Sequence, residues 1–216
     1  MDFYNVMSVE ATTRSKSDIT VTVDFVYGPS KDLVCKGGKF YAFWDVTKSL
    51  WNTNVYDLYT YIDDEVYLKK KELEERYPDR EIGTRTMKSH SSGLVTAFEK
   101  YISQSNSPNV TFNSKILYLS DESKKEDYVT NKLTYDPKEM DTPAFDEMLD
   151  ILYSKEEQLK ILWFMGLVLS GQARKVEKFM YLYVGKVSGK GTVINIFREL
   201  FGGFIEEFDL ELLTGG

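Results

Sequence analysis

The sequence predicts an α/β protein that opens with an α+β region, and three observations carry that expectation. Ile19, Val21, Val23, Phe25 and Tyr27 alternate with polar residues, the period of a half-buried strand. Val55, Leu58, Tyr59, Ile62, Val66, Leu73 and Tyr77 recur at roughly helical spacing. Further on, Phe179, Met180, Tyr181, Leu182, Tyr183 and Val184 form a short apolar run of the kind found in buried strands. A glycine- and lysine-rich stretch follows it, and then Val193, Ile194, Phe197, Leu200 and Phe201 at helical spacing.

Taken in order, Gly28-Pro29-Ser30 ends the first strand. A second strand is expected near residues 33–35 and a third over 40–44, after the Gly37-Gly38 turn, making a small antiparallel sheet. Asn54 can cap the long helix, which runs to Pro78. Residues 79–92 are polar and aperiodic and read as a loop or linker. Leu94, Val95, Phe98 and Ile102 suggest a short helix, ended by Ser105-Asn106-Ser107-Pro108. Residues 116–119 and 128–133 read as two strands around a charged turn. Thr142-Pro143 starts a helix, because proline in the first helical position has its φ already set; Phe145, Met148, Leu149 and Leu152 are its apolar stripe. Ser154 and Glu157 form a capping box for the next helix, which carries Leu159, Leu162, Trp163 and Leu167 and can end at Gly171. The run over residues 179–184 is expected to be a central strand packed against the helices of residues 143–153 and 154–170. The chain shows no internal repeat.

At 216 residues the chain is long enough for a real core, in one large domain or two small ones. No apolar run approaches the ~18 residues of a membrane span. The first ten residues lack the basic and apolar regions of a secretory signal. A single cysteine, Cys35, cannot form an internal disulfide, and a reducing cytoplasm fits best. The net charge of −7 argues against a dedicated nucleic-acid coat protein. Any DNA contact would have to be a local patch, since phosphate affinity comes from nearby Lys and Arg.

The stretch over residues 184–192 carries the chemistry. Gly185, Lys186, Val187, Ser188, Gly189, Lys190, Gly191 and Thr192 are the expected nucleotide-binding residues. Glycines let the backbone curl so that successive N–H groups point at phosphate oxygens, and the following helix N-terminus adds partial positive charge. Lys190 would reach the β- and γ-phosphates, and a bulky residue at Gly189 would obstruct the approach. Two departures from Gly-x4-Gly-Lys-Ser/Thr stand out. The first glycine position holds Val184, with Gly185 one place late, and Gly191 follows Lys190 where the Mg²⁺-binding hydroxyl is usual, with Thr192 one place on. The plain alternative is a Gly/Ser-rich turn with no ligand; the apolar run before and the amphipathic helix after favour nucleotide binding. The residue that would ligate Mg²⁺ is left open.

Other polar features have bland readings beside the functional ones. Asp63, Asp64 and Glu65 suggest a metal site, but a solvated helix face is favoured. Lys69-Lys70-Lys71 suggests a DNA contact, but Glu72, Glu74 and Glu75 follow and favour a mixed-charge surface. Arg80, Arg85, Lys88 and His90 could form a basic segment that binds a strand, with an ordinary linker the favoured reading. His90 is the only histidine, which excludes a multi-histidine metal site; Cys35 has no cysteine partner for zinc.

At this loop the sequence resembles a known family. Residues 178–185 and 200–203, with the loop and helix between them, are similar to the phosphate-loop (Walker A) region of phage and plasmid primase-helicases of helicase superfamily 3, related to the poxvirus primase-helicase NTPase. Tyr135-Asp136-Pro137 and the Gly166, Ser170, Gly171 spacing agree with the same family. The similarity covers residues 115–208 well; residues 1–110 are more loosely similar, chiefly at 38–44. The resemblance implies three parts: an α+β region over residues 1–110, a helical and hairpin region before the motor over 111–172, and the start of a P-loop ATPase core over 173–216. It implies ATP and Mg²⁺ as cofactors, single-stranded DNA as partner, a homo-oligomeric ring, usually a hexamer, and DNA unwinding driven by ATP hydrolysis in phage DNA replication. It also implies that the family's acidic Mg²⁺ site, polar sensor and arginine finger lie beyond this chain. The expectation is therefore a truncated piece that hydrolyses ATP negligibly by itself. A non-enzymatic DNA-docking or assembly module with an incomplete phosphate loop is the alternative. An adenylate-kinase-like enzyme is a weaker third, because such kinases place Gly-Lys-Gly-Thr near the chain start.

Overall fold

The structure, a computed structural model, describes residues 1–10, 17–89, 92–105, 107, 109–113, 116–182 and 189–205. Helices and strands occur together in mixed and antiparallel sheets, which makes this an α+β/α/β fold. The chain divides into two units, one of Met1–Phe112 with Lys124–Thr130, the other of Asn113–Ser123 with Asn131–Gly216. Among the described residues no helix is long and apolar enough to cross a membrane.

The first unit contains β1 (Tyr4–Glu10), β2 (Ile19–Phe25), β3 (Leu33–Lys36), β4 (Lys39–Asp45), β5 (Leu50–Asn52), α1 (Val55–Arg76), β6 (Ile82–Thr84) and α2 (Leu94–Gln104). The alternating residues 19–25 form β2, with Val21 and Phe25 turned into the core. Instead of one antiparallel sheet there are two three-stranded ones. β1 pairs antiparallel with β2, and β6 pairs parallel with β2 through Ile19↔Ile82 to Val21↔Thr84. β3, β4 and β5 form an antiparallel meander. The additional strands lie outside the sequence expectation for physical reasons. β1 buries only its first residue fully, and β5 and β6 are three residues long, too short to display a period.

Asn54 does cap α1, its side-chain oxygen accepting from the Tyr56 amide at 3.0 Å. Leu58, Ile62 and Val66 of α1 and Phe98 and Tyr101 of α2 bury themselves with Phe3, Val21, Phe25 and Phe43. Phe25 packs on Tyr101 and Phe98 at ring separations of 5.6 and 5.4 Å. A smaller cluster joins Val34, Ala42, Trp44 and Trp51 to Phe112 and Tyr128. The Trp51 ring stacks on Tyr128 at 5.5 Å, its indole N–H donates to the Lys125 carbonyl at 2.8 Å, and its amide donates to the Val129 carbonyl at 2.9 Å. The Lys125 ammonium pairs with Asp32.

The expected strands over 116–119 and 128–133 are not formed. Residues Lys125–Asp127 make a single 3₁₀ turn, Tyr128 takes a left-handed φ of +49°, and only an isolated bridge links Leu117 to Lys132. A left-handed residue breaks the extended backbone a ladder requires.

The second unit is helical: α3 (Pro143–Leu152), α4 (Lys155–Leu169), α5 (Ala173–Val176) and α6 (Lys190–Phe201). Pro143 opens α3, and Ser154 and Glu157 form the capping box of α4, with the Ser154 amide donating to the Glu157 carboxylate at 2.8 Å. The buried Gln158 amide donates to the Tyr153 carbonyl at 2.9 Å and to the Leu149 carbonyl at 3.0 Å, the latter also accepting from the Tyr153 amide, and so locks the α3–α4 corner. Leu149, Tyr153, Ile161, Val193, Phe197 and Phe201 form the core. The Tyr135 hydroxyl donates to the Leu200 carbonyl at 2.6 Å and the Asn131 amide to the Gly203 carbonyl at 3.0 Å.

Two expectations for this unit are corrected. Of the α4 residues Leu159, Leu162, Trp163 and Leu167, only Leu167 is buried; the core face is Gln158, Ile161 and Leu167. From Ile161 onward α4 is apolar all round, which gives no periodicity by which to choose a face. Residues 178–182 do not form a central buried strand. They are neither strand nor helix, and Phe179 and Tyr181 are 87% and 75% exposed. A buried strand needs neighbours to take its backbone hydrogen bonds and cover both faces, and among the described residues this unit contains no ladder beyond one bridge. Tyr183 and Val184 lie outside the described residues.

Candidate functional site

Of the eight candidate nucleotide-binding residues, Gly185, Lys186, Val187 and Ser188 lie outside the described residues. Gly189, Gly191, Thr192 and the Lys190 backbone are described and form the entry to α6. Gly189 adopts φ +68° as the residue before the helix, and its carbonyl accepts from the Val193 amide at 3.1 Å. The left-handed conformation suits glycine. A Cβ added there would also fall within the van der Waals envelope of Leu152 Cδ1. A Cβ at Gly191 would meet nothing within 4 Å, so that side of the first turn faces open space. Thr192 is exposed.

The local sequence explains this geometry. Val193, Phe197 and Phe201 drive one face of α6 into the α3–α4 core, which sets the helix axis. Gly189 has no side chain with which to cap the helix, and the first turn carries no acidic residue. First-turn amides therefore keep their capacity to donate, and the helix dipole places positive potential at the same end. A phosphate oxygen is chemically suited to that position. For Mg²⁺, Thr192 presents the hydroxyl nearest the expected position in sequence, and among the described residues no group of three or more His, Cys, Asp or Glu side chains could hold a metal.

Most of the other candidates resolve into structural roles. Asp63, Asp64 and Glu65 do not share one face. Asp64 is exposed, while Glu65 accepts from the Tyr4 hydroxyl at 2.9 Å. Burial, and then the Glu65 charge, hold that phenol far above its ordinary value. Asp63 corrects the solvated-face reading. It is 3% exposed and accepts from the backbone amides of Met87 and Lys88 at 2.6 and 3.1 Å. Lys69 pairs with Glu72 at 2.7 Å and Lys70 with Glu74 at 3.3 Å, a mixed-charge surface.

The described residues of the 79–92 stretch, expected as a loop or linker, are not a free linker. They hold β6 and the buried Thr86 and Met87; Arg80 pairs with Glu10 at 3.2 Å, and the Arg85 guanidinium donates to the Ser92 carbonyl. Polar composition concealed these anchors because most of the partners, Glu10, β2 and Asp63, come from distant segments. His90 lies outside the described residues. Cys35 is buried in β3, and burial pushes its thiol up to about 11.

The structure also assembles a cleft that sequence reading missed. It has a volume of about 700 Å³ and is lined in part by Tyr56 and Tyr59 of α1, Met87, Lys88, and Thr96 and Glu99 of α2. Two signals were available in sequence, the pair of tyrosines three residues apart on the helix and Lys88 in the basic stretch after Pro78. Comparison of the chain with known protein families, with curated proteins and with solved structures finds no match.

Proposed function

We propose that residues 185–192 bind the phosphates of ATP with Mg²⁺, and that the chain is part of a replicative DNA helicase of the primase-helicase kind. In the complete protein, a ring of subunits would couple ATP hydrolysis to unwinding along single-stranded DNA. The observation that carries this reading is the junction at Gly189: a left-handed glycine directly before a packed amphipathic helix whose first turn is open on the Gly191 side. Such a junction supplies amide donors and helix-end potential where a loop can deliver an anion.

Lys190 would add its ammonium to the β- and γ-phosphates, and bound Mg²⁺ would neutralise phosphate charge during transfer. The test is titration of the chain with a fluorescent ATP analogue and Mg²⁺, in wild-type and Lys190→Ala forms. Loss of one charge-assisted contact, about 1.5–3 kcal/mol, should weaken binding about 10- to 150-fold. Equal affinity of the two proteins would refute the assignment. For the motor itself, the complete protein carrying Lys190→Ala should lose unwinding while still forming a ring.

A second reading, a non-enzymatic assembly or DNA-docking module, draws on a different observation. Leu159, Leu162 and Trp163 are exposed on α4, and Phe179 and Tyr181 are exposed in the same unit. Exposed apolar surface of this kind marks interaction sites. Self-association without any ATP binding would favour the module over the motor.

A further inference from the structure

We propose that the cleft of the first unit, between α1, α2 and the Met87–Lys88 corner, binds one nucleotide unit, a base with a single phosphate. This site is formed by residues of the first unit alone and does not depend on the assignment of residues 185–192.

The cleft is built in advance of any ligand. Asp63, buried in α1, holds the Met87 and Lys88 amides, so the corner carrying Lys88 is tied to the helix carrying Tyr56 and Tyr59. On the α2 side the Ser92 hydroxyl accepts from the Leu94 amide at 3.2 Å, and Arg85 donates to the Ser92 carbonyl. Walls fixed by buried hydrogen bonds lose little entropy on binding. A volume of about 700 Å³ is within the range of small-ligand sites.

The lining chemistry narrows the occupant. Tyr59 is wedged edge-on against Phe98 at 5.9 Å, and Tyr56 stands edge-on to Tyr59 at 6.1 Å. These contacts orient Tyr56, yet it stays 72% exposed, so ring surface remains for a planar group to stack on. Met87 supplies an apolar wall. Glu99 and Thr96 are exposed acceptors suited to the exocyclic amine and ring N–H of a base. Lys88 is exposed and among the described residues has no ion-pair partner. One cation beside one carboxylate disfavours a polyphosphate and fits a single phosphate. The same unit could come from a free nucleotide or from a residue of a single strand.

The experiment uses the full chain in a Lys190→Ala background, so that the readout belongs to the cleft. Binding of a labelled 12-nucleotide single strand is followed by anisotropy, and AMP is titrated as competitor. Tyr56→Ala should weaken binding about 5- to 150-fold, the effect of one lost stacking contact, and Tyr56→Phe should restore it. Lys88→Ala should reduce the slope of log affinity against log salt by about 0.7 for a single strand. Competition by AMP identifies a free-nucleotide site; strand binding without competition identifies a strand site. AMP binding alone, sensitive to Tyr56→Ala, also supports the cleft. Absence of both ligands, or affinities indifferent to Tyr56→Ala, overturns the proposal. Unchanged circular dichroism of Tyr56→Ala, expected for an exposed side chain, separates lost binding from lost fold.

Discussion

Replacing Asp63 with alanine removes the acceptor of two backbone amides at once, at 2.6 Å to Met87 and 3.1 Å to Lys88. Hydrogen bonds to a charged acceptor contribute about 1.5–3 kcal/mol each, and an amide left buried without a partner bears its full desolvation cost. Met87 is 2% exposed, so water cannot readily replace the lost carboxylate there and the upper part of that range applies. The Lys88 amide is only part-buried and should cost less. The sum is a loss of about 3–4 kcal/mol, a large share of the ~5–15 kcal/mol typical of a domain. Asp63→Asn keeps one acceptor oxygen and should fall between alanine and wild type. The assay is urea unfolding followed by tryptophan fluorescence, since Trp44 and Trp51 both lie in the core of this unit. Amide hydrogen exchange at Met87 and Lys88 gives a local readout and should accelerate in the alanine variant. A loss below about 1 kcal/mol with unchanged exchange would refute the reasoning, because it would mean that Asp63 behaves as the solvated helix residue its neighbours in sequence suggest.

Cys35, buried with its thiol raised to about 11, should be about one part in a thousand thiolate at pH 8. A thiol reagent should therefore label the native chain far more slowly than the urea-unfolded one; equal rates would show that Cys35 is accessible. Burial alone would raise the Asp2 and Asp45 carboxyls. The Ser30 hydroxyl and the Lys31 and Asp32 amides for Asp2, and the Thr47 hydroxyl with the Lys48 and Thr47 amides for Asp45, outweigh it and hold both below their ordinary value. Depressed carboxylates stabilise the fold above the unfolded value of about 4 and lose that contribution as pH falls through the folded values. Unfolding midpoints should thus fall below about pH 4, and less steeply in Asp2→Asn and Asp45→Asn; curves parallel to wild type would count against it. Gly189→Ala imposes a left-handed alanine, costing about 1–2 kcal/mol, and crowds Leu152. The second unit should lose that stability and ATP affinity together, and adding Leu152→Ala should relieve the crowding but not the backbone strain; wild-type behaviour of Gly189→Ala would contradict the geometry.

What the sequence by itself determined about this protein is what closes over a few neighbouring residues. Asn54 caps α1 two residues away, Ser154 and Glu157 close their box within four, and Gly189 meets α6 directly. Alternation was enough for β2, because the face of Ile19, Val21, Val23 and Phe25 packs on the core for its whole length, and the Gly37-Gly38 turn marked the start of β4. The tertiary structure decided whatever depends on a partner far along the chain. β6 exists because β2 offers it a parallel edge, and Asp63 is buried because the amides of residues 87 and 88 come to it. Residues 124–130 belong with Trp51, although neighbours on either side belong to the other unit. In α4 apolar residues surround the helix, so contacts with α3 and α6 alone chose the Ile161 face. The run at 179–182 shows the same dependence in reverse, since apolar composition makes a buried strand only where other strands accept its backbone hydrogen bonds. The glycine junction of the candidate site was legible because a left-handed turn before a helix is a local demand. The cleft was not, because its walls come from three segments brought together by the Asp63–Met87 hydrogen bond and by the packing of Tyr59 on Phe98.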